Sequence, residues 1–254
     1  MLRIRLSDGR PLGERMVQAC FFDLYNTLVY FHPSREERQA IAARQFGIEI
    51  DPAALHKAYV AGEHFWTIEN GREAIQKRSE EERARFYTEY EKRLLAAAGI
   101  AVADDTALKI YRAYRQTKAG LRLFDDVLPT LATLHHRGVA LGLISNWDQA
   151  VTTFCQELGI GQYLDFILSS HEVGVEKPDV RIFEEALRRA AVRPVEAMHV
   201  GDQYHSDVVG ARRAGIRPVL LDRFGFLSEF TDCVRIRSLA EVPDLIESPI
   251  EPSS

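Results

Sequence analysis

A chain of 254 residues, 46% hydrophobic and 27% charged, is long enough to bury a full core and has the balance of a folded globular protein. A formal net charge of -5 leaves no footprint for nucleic acid or a membrane surface, and no stretch approaches the ~20 apolar residues of a membrane helix. Cys20, Cys155 and Cys233 are far apart and lack metal-ligand spacing, so they read as thiols in a reducing compartment. The start MLRIRLSDGR has no leader-like apolar run, and a cytoplasmic location is expected.

Residues 1–16 are polar around a Ser7-Asp8-Gly9 turn signal and predict an irregular extension or short hairpin. Residues 17–22 predict a strand apolar enough for the centre of a sheet covered on both faces. Asp23 ends that strand, and the chain turns through Leu24, Tyr25, Asn26 and Thr27. Four helices follow without a strand between them. The first spans 34–46, with a Ser34/Glu37 capping box and Gly47 as its stop. The second opens at Asp51-Pro52 and ends near residue 70; the third runs from the Ser79/Glu82 box to Gly99; the fourth runs over 105–119.

From Leu121 the pattern alternates. Helices are expected at 127–136, 149–158, 180–190 and 207–214, and strands at 139–144, 166–168, 198–200 and 218–221. An edge strand at 234–236 and a short helix at 239–246 complete the chain, and the Pro- and Ser-rich residues 248–254 are expected to fray. The fold class is therefore α/β, a doubly wound parallel sheet with a helical domain inserted after its first strand. Residues 1–31 and 121–254 make the core, and residues 32–120 the four-helix insertion.

In such sheets the carboxyl ends of the strands gather where ligands bind. Asp23 at the first strand end is the candidate nucleophile. Ser145-Asn146, at the end of 139–144, offers a hydroxyl, an amide and turn N–H groups to an anion. Lys177, fixed by Pro178 and followed by Asp179 as a helix cap, offers a cation. Asp202 and Asp207 sit on the loop after 198–200. Each residue has a plainer use, as turn, N-cap or solvated side chain. Together, three carboxylates face one lysine, and that charge deficit argues for a bound divalent metal. Oxygen-only ligands suit Mg²⁺, and no His or Cys cluster suggests zinc.

The ordered set Asp23-x-x-x-Thr27, Ser145-Asn146, Lys177-Pro178 and Gly201-Asp202-x-x-x-x-Asp207 resembles the four motifs of the haloacid dehalogenase-like hydrolase superfamily. The insertion resembles its C1-type helical cap on a Rossmann-like core. The resemblance implies attack by Asp23, a covalent aspartyl intermediate and its hydrolysis by water. It implies Mg²⁺ held by Asp23, the backbone carbonyl of Tyr25 and Asp202, with Asp207 as a further ligand or a support behind them. Ser145 and Lys177 would grip the phosphoryl group of a small anionic substrate, and Thr27 would brace the loop.

Tyr25 departs from the phosphatase pattern, which carries a second Asp there as general acid and base. A phenol of ordinary pKa ~10 can donate a proton but is a poor base at neutral pH. Haloacid dehalogenases, whose halide needs no proton, carry Tyr at that place but lack an acid at the Asp202 position. Three readings follow: a Mg²⁺-dependent phosphomonoester hydrolase, a metal-free 2-haloacid dehalogenase, and a weakly catalytic anion- and metal-binding protein. His32, Arg35, Arg38 and His205 are candidates to replace the absent acid, with hinge polarity or a solvated face as the alternative. Tyr59, Phe65 and Trp66 read as the insertion's core.

Overall fold

The computed structural model describes residues 17–73, 75–147 and 151–247. The expected extension at 1–16, the helix start at Gln149 and the tail at 248–254 lie outside the described residues. The chain divides into two units, Met1–Tyr30 with Arg122–Ser254, and Phe31–Leu121.

In chain order the first unit contributes β1 (Ala19–Phe22), and β2 (Val29–His32) leads out of it. The helical unit holds α1 (Arg35–Arg44), α2 (Pro52–Arg72), α3 (Glu80–Ala97) and α4 (Asp104–Gln116). The chain returns through β3 (Gly120–Leu123) to α5 (Val127–His136), β4 (Ala140–Ser145), α6 (Val151–Glu157), β5 (Phe166–Ser169), α7 (Ser170–Val173) and α8 (Val180–Ala190). It ends with β6 (Ala197–Gly201), α9 (Val209–Arg213), β7 (Arg217–Leu221), β8 (Val234–Ile236) and α10 (Val242–Glu247).

Six strands form one sheet in the order β5-β4-β1-β6-β7-β8, every pair parallel. All four residues of β1 are buried, as a strand covered on both faces requires. Ala19 and Phe21 join Ile144, Leu168, Ile182, Phe183 and Ala186 in one apolar cluster. Strand β1 lies between β4 and β6, so the strand order reverses at its flanks and its carboxyl end marks a topological switch point.

The helical unit has its own core, with Leu55, Tyr59, Leu94, Leu95 and Ile110 in one cluster. Its capping signals form as the sequence predicts, with reciprocal bonds at Ser34/Glu37 and Ser79/Glu82, and Asp51 accepting from the Ala53 N–H. Phe65 and Trp66 pack on Phe86 at 5.3 and 5.1 Å between ring centres. No helix among the described residues is long and apolar enough to cross a membrane.

Two features differ from expectation. Strands β2 and β3 pair as a separate two-stranded sheet; at four residues each they are too short to carry a readable period. The helix expected from Asp207 begins earlier, as a π turn over Tyr204–Val208 whose closing bond runs from the Val209 N–H to the Tyr204 carbonyl. Such turns are rare, and they occur often at functional sites.

Candidate active site

The site grows from the end of β1. The Asp23 N–H donates to the Val200 carbonyl at 2.9 Å, which ties the first residue past β1 to β6. Asn26 then takes a left-handed φ of 59°, a conformation its short polar side chain tolerates, and its N–H donates to the Val29 carbonyl at 2.7 Å. The Thr27 hydroxyl is buried without a partner, while its carbonyl accepts from Arg223 Nη2 at 2.7 Å. Arg223 is fixed in turn by both Asp126 oxygens at 2.9 Å and by the Phe124 ring at 3.9 Å.

Asn146, at the exit of β4, spends its amide on the backbone of Lys177. Its Nδ2 donates to the Lys177 carbonyl at 3.0 Å, and its Oδ1 accepts from the Lys177 N–H at 2.7 Å. The side chain expected beside an anion therefore locks the neighbouring loop. Ser145, buried, accepts from the Trp147 N–H at 3.1 Å. Asp179 caps α8 through the Arg181 N–H, so the segment carrying Lys177 is fixed at both ends.

The lysine thus held puts Nζ 2.6 Å from Asp23 Oδ1 and 2.6 Å from Asp207 Oδ1. Asp207 comes this close because residue 201 is glycine; a Cβ there would lie 2.2 Å from the Asp207 carboxyl carbon. Asp207 Oδ1 also lies 3.0 Å from His199 Nε2, and Oδ2 accepts from the Gln203 N–H at 3.0 Å. Asp202 is hydrogen-bonded by the Asn26 side chain, yet its Oδ1 is buried with no partner among the described residues.

These contacts divide the carboxylates electrostatically. Burial raises the Asp23 carboxyl above its ordinary range and the charge of Asp207 adds to this, with Lys177 opposing both. Burial pushes Asp202 the same way, reinforced by Asp23 and Asp207, to about 7. Asp207 goes down, because Lys177 and His199 outweigh its burial. Lys177 goes up, since Asp207 and Asp23 outweigh its own desolvation. One cation therefore outweighs burial only at Asp207, and Asp23 and Asp202 both stay raised.

Single oxygens of Asp23, Asp202 and Asp207 all lie within 4.8 Å of one another. An oxygen-only set that includes a buried, unpartnered carboxylate oxygen fits a hard divalent cation. The cluster brings together Asp23, Lys177, Asp202 and Asp207 from three strand ends, as the sequence motifs predict. Tyr25 is partly exposed on the turn and bridges to Val29. The proposed substitutes for the acid have other occupations: Arg35 lies over Tyr59, Arg38 over Tyr114, and His32 is 3.7 Å from Glu37, while His205 packs edge-on to Tyr204. Sequence reasoning missed His199 and Arg223. A histidine inside the apolar strand AMHVG was the available signal for the first.

The family pattern described as haloacid dehalogenase-like hydrolase matches residues 17–215. The chain is 31% identical over 206 residues to Haloacid dehalogenase-like hydrolase domain-containing protein 3 of Homo sapiens, covering 79% of this chain and 80% of that protein. It is 30% identical over 212 residues to Ribulose-1,5-bisphosphate 5-phosphatase of Halopiger xanaduensis, covering 82% and 85%. Among solved structures it is similar to a 2-haloacid dehalogenase from Pseudomonas syringae, with a TM-score of 0.54, 25% identity and coverage of 91% and 98%.

Proposed function

The chain belongs to the haloacid dehalogenase-like hydrolase family, and from that premise we propose that it is a Mg²⁺-dependent hydrolase of small phosphomonoesters acting through Asp23. The observation that carries this reading is Asp202, a half-buried carboxyl lifted to about 7 whose buried Oδ1 has no partner among the described residues, beside two further carboxylates. A dehalogenase has no use for that oxygen, whereas a phosphate-handling site uses it to hold a cation. The Halopiger relative, a ribulose-1,5-bisphosphate 5-phosphatase similar over most of both chains, supports the same class.

In this reading Asp23 attacks the ester phosphorus, a carboxylate O–P bond forms, and the P–O bond to the alcohol breaks. The alcohol leaves with a proton from the Tyr25 hydroxyl or from water. Water then attacks the aspartyl phosphate at phosphorus, the O–P bond to Asp23 breaks, and a proton of that water returns to the donor spent on the alcohol, so that inorganic phosphate leaves and Asp23 is restored. Ser145 and Lys177 hold the phosphoryl oxygens where negative charge develops. Mg²⁺ would be held by Asp23, the Tyr25 carbonyl and Asp202, and would supply neutralisation of the phosphoryl charge. Asp207, its oxygens already engaged by Lys177, His199 and Gln203, supports the lysine instead. We assign residues 1–31 and 121–254 as the catalytic core and the four-helix unit as its cap.

The second reading, 2-haloacid dehalogenation, is favoured by Tyr25 in place of an acid. There Asp23 displaces halide from carbon and needs neither metal nor proton donor. Phosphate and halide release over a panel of phosphate esters and 2-haloacids, with Mg²⁺ and with chelator, separates the two. The expected result is phosphate release that chelator abolishes and that Asp23→Asn lowers by several orders of magnitude. Chelator-resistant halide release would overturn the phosphatase reading, and full activity in Asp23→Asn would remove the nucleophile.

A further inference from the structure

We propose that His199 is a positioning residue whose Nε2–H holds Asp207 so that the Lys177 ammonium stays aimed at Asp23. What Lys177 does for the reaction rests on the phosphatase reading above; the clamp itself rests on geometry.

His199 sits in the middle of β6, between Met198 and Val200, and is almost wholly sealed from solvent. A polar ring placed there costs free energy unless a partner compensates it. Its Nε2 lies 3.0 Å from Asp207 Oδ1, and its ring stands nearly perpendicular to that of Phe183, at 84° with 5.1 Å between centres. Both Asp207 oxygens already accept, Oδ1 from Lys177 Nζ and Oδ2 from the Gln203 N–H, so the hydrogen of this contact sits on Nε2. The other ring nitrogen, Nδ1, is buried without a partner among the described residues. The bond to Asp207 is therefore what the imidazole gains at this position, and an apolar side chain of similar size would pack there without leaving Nδ1 unsatisfied.

Lys177 Nζ and His199 Nε2 converge on the same oxygen of Asp207, while the Gln203 N–H takes the other. Three donors from three segments leave that carboxylate one orientation. Remove the imidazole and Oδ1 keeps a single flexible partner, so carboxylate and ammonium can turn together away from Asp23. The loss falls on the covalent step, for which Lys177 must stay on Asp23 Oδ1. It spares Mg²⁺ binding, because Asp207 stands outside the cation's proposed ligands.

The test compares His199→Met, which fills the space without a donor, with His199→Gln, whose amide N–H reaches roughly the Nε2 position. With 4-nitrophenyl phosphate and Mg²⁺, His199→Met should lower kcat about tenfold, the scale of one hydrogen bond to a charged group, with KM and the Mg²⁺ Kd within about twofold of the parent. His199→Gln should recover kcat to within about threefold. In ¹⁵N-lysine-labelled protein without substrate, the ammonium cross-peak that Lys177→Met removes should persist in His199→Gln and vanish in His199→Met.

A His199→Met protein that melts lower but keeps the parent kcat would show a packing role alone and overturn the proposal, as would equal losses in Met and Gln. Loss of Mg²⁺ binding in His199→Met would also overturn it. If His199→Met does not fold, His199→Asn, too short to reach Asp207, replaces it under the same criteria. Should the parent release no phosphate from any ester, the phosphatase reading fails and the cross-peak decides the clamp: lost without the donor supports it, unchanged overturns it.

Discussion

Asp207 in the sheet unit and Glu91 in the helical unit are both sealed from solvent, yet their ionisation runs in opposite directions. Glu91, on α3, faces α1, where Gln39 Nε2 donates to its Oε1; its Oε2 is buried with no partner. Burial lifts its carboxyl to about 8, with the amide only partly opposing. Asp207 suffers the same desolvation but has an ammonium at 2.6 Å and an imidazole at 3.0 Å, and it stays ionised. Burial by itself selects the neutral acid, and a nearby cation reverses the choice. A buried carboxyl among amides is thus part of a core, whereas one held ionised at a strand end is equipped for chemistry.

Removing the cation should convert the second kind of site into the first. Lys177→Met leaves Asp23 and Asp207 buried without their counter-charge, and breaking such a pair costs roughly 3–5 kcal/mol. Urea unfolding at neutral pH should register that loss, and phosphate release should fall to background. An unchanged unfolding midpoint would mean that the ammonium adds no net stability to the buried carboxylates, and the contrast with Glu91 would collapse.

Asp202 lies between the two cases, since it is ionisable near neutrality and lacks a cation of its own. Its folded pKa of about 7 stands above that of an unfolded aspartate. The folded state therefore holds the extra proton, and stability is lost as pH rises from about 4 to about 7. Asp202→Asn should remove that slope in metal-free protein and add about 4 kcal/mol at pH 8, while Mg²⁺ affinity falls on the order of 100-fold. Stability in chelator and Mg²⁺ titration calorimetry check the two signs separately.

Glu91→Gln should have the same sign and a smaller reach. The parent loses stability as pH rises through the window from an unfolded glutamate near ~4.5 to about 8. Gln removes this and should gain about 4 kcal/mol at pH 8, with no effect on Mg²⁺ binding. Unfolding curves at pH 5 and pH 8 measure it. A pH-independent parent would mean that Glu91 finds a charged partner in solution.

How far the sequence foretold this molecule depends on the range of the forces involved. The capping boxes at Ser34 and Ser79, and the strand ends at Asp23, Ser145 and Gly201, were legible because each is a local pattern fixed by its own backbone. Lys177 and the acidic loop were legible because parallel strands must deliver their ends to one rim. His199 was not, because its partner is set by the π turn that brings Asp207 back over Gly201, and no local pattern announces that turn. Nor was Arg223, whose hold on Thr27 spans 196 positions of chain. Asn146 was legible as a polar residue at a strand end, but whether its amide faces a ligand or the next loop is a matter of tertiary packing.

The smallest expected effect marks the lower limit of the contrast between local and convergent devices. Ser79 Oγ accepts from the Glu82 N–H at 3.3 Å, and the Glu82 carboxylate accepts from the Ser79 N–H at 2.9 Å, so the box closes within one exposed turn at the start of α3. Nothing beyond that turn depends on the serine hydroxyl, and α3 remains anchored by Phe86, Leu94 and Leu95 in the helical core. Ser79→Ala should therefore cost only about 1 kcal/mol in urea unfolding, the ordinary value of a lost N-cap. A loss as large as that of Lys177→Met would mean that α3 depends on its first turn as the sheet unit depends on its buried lysine.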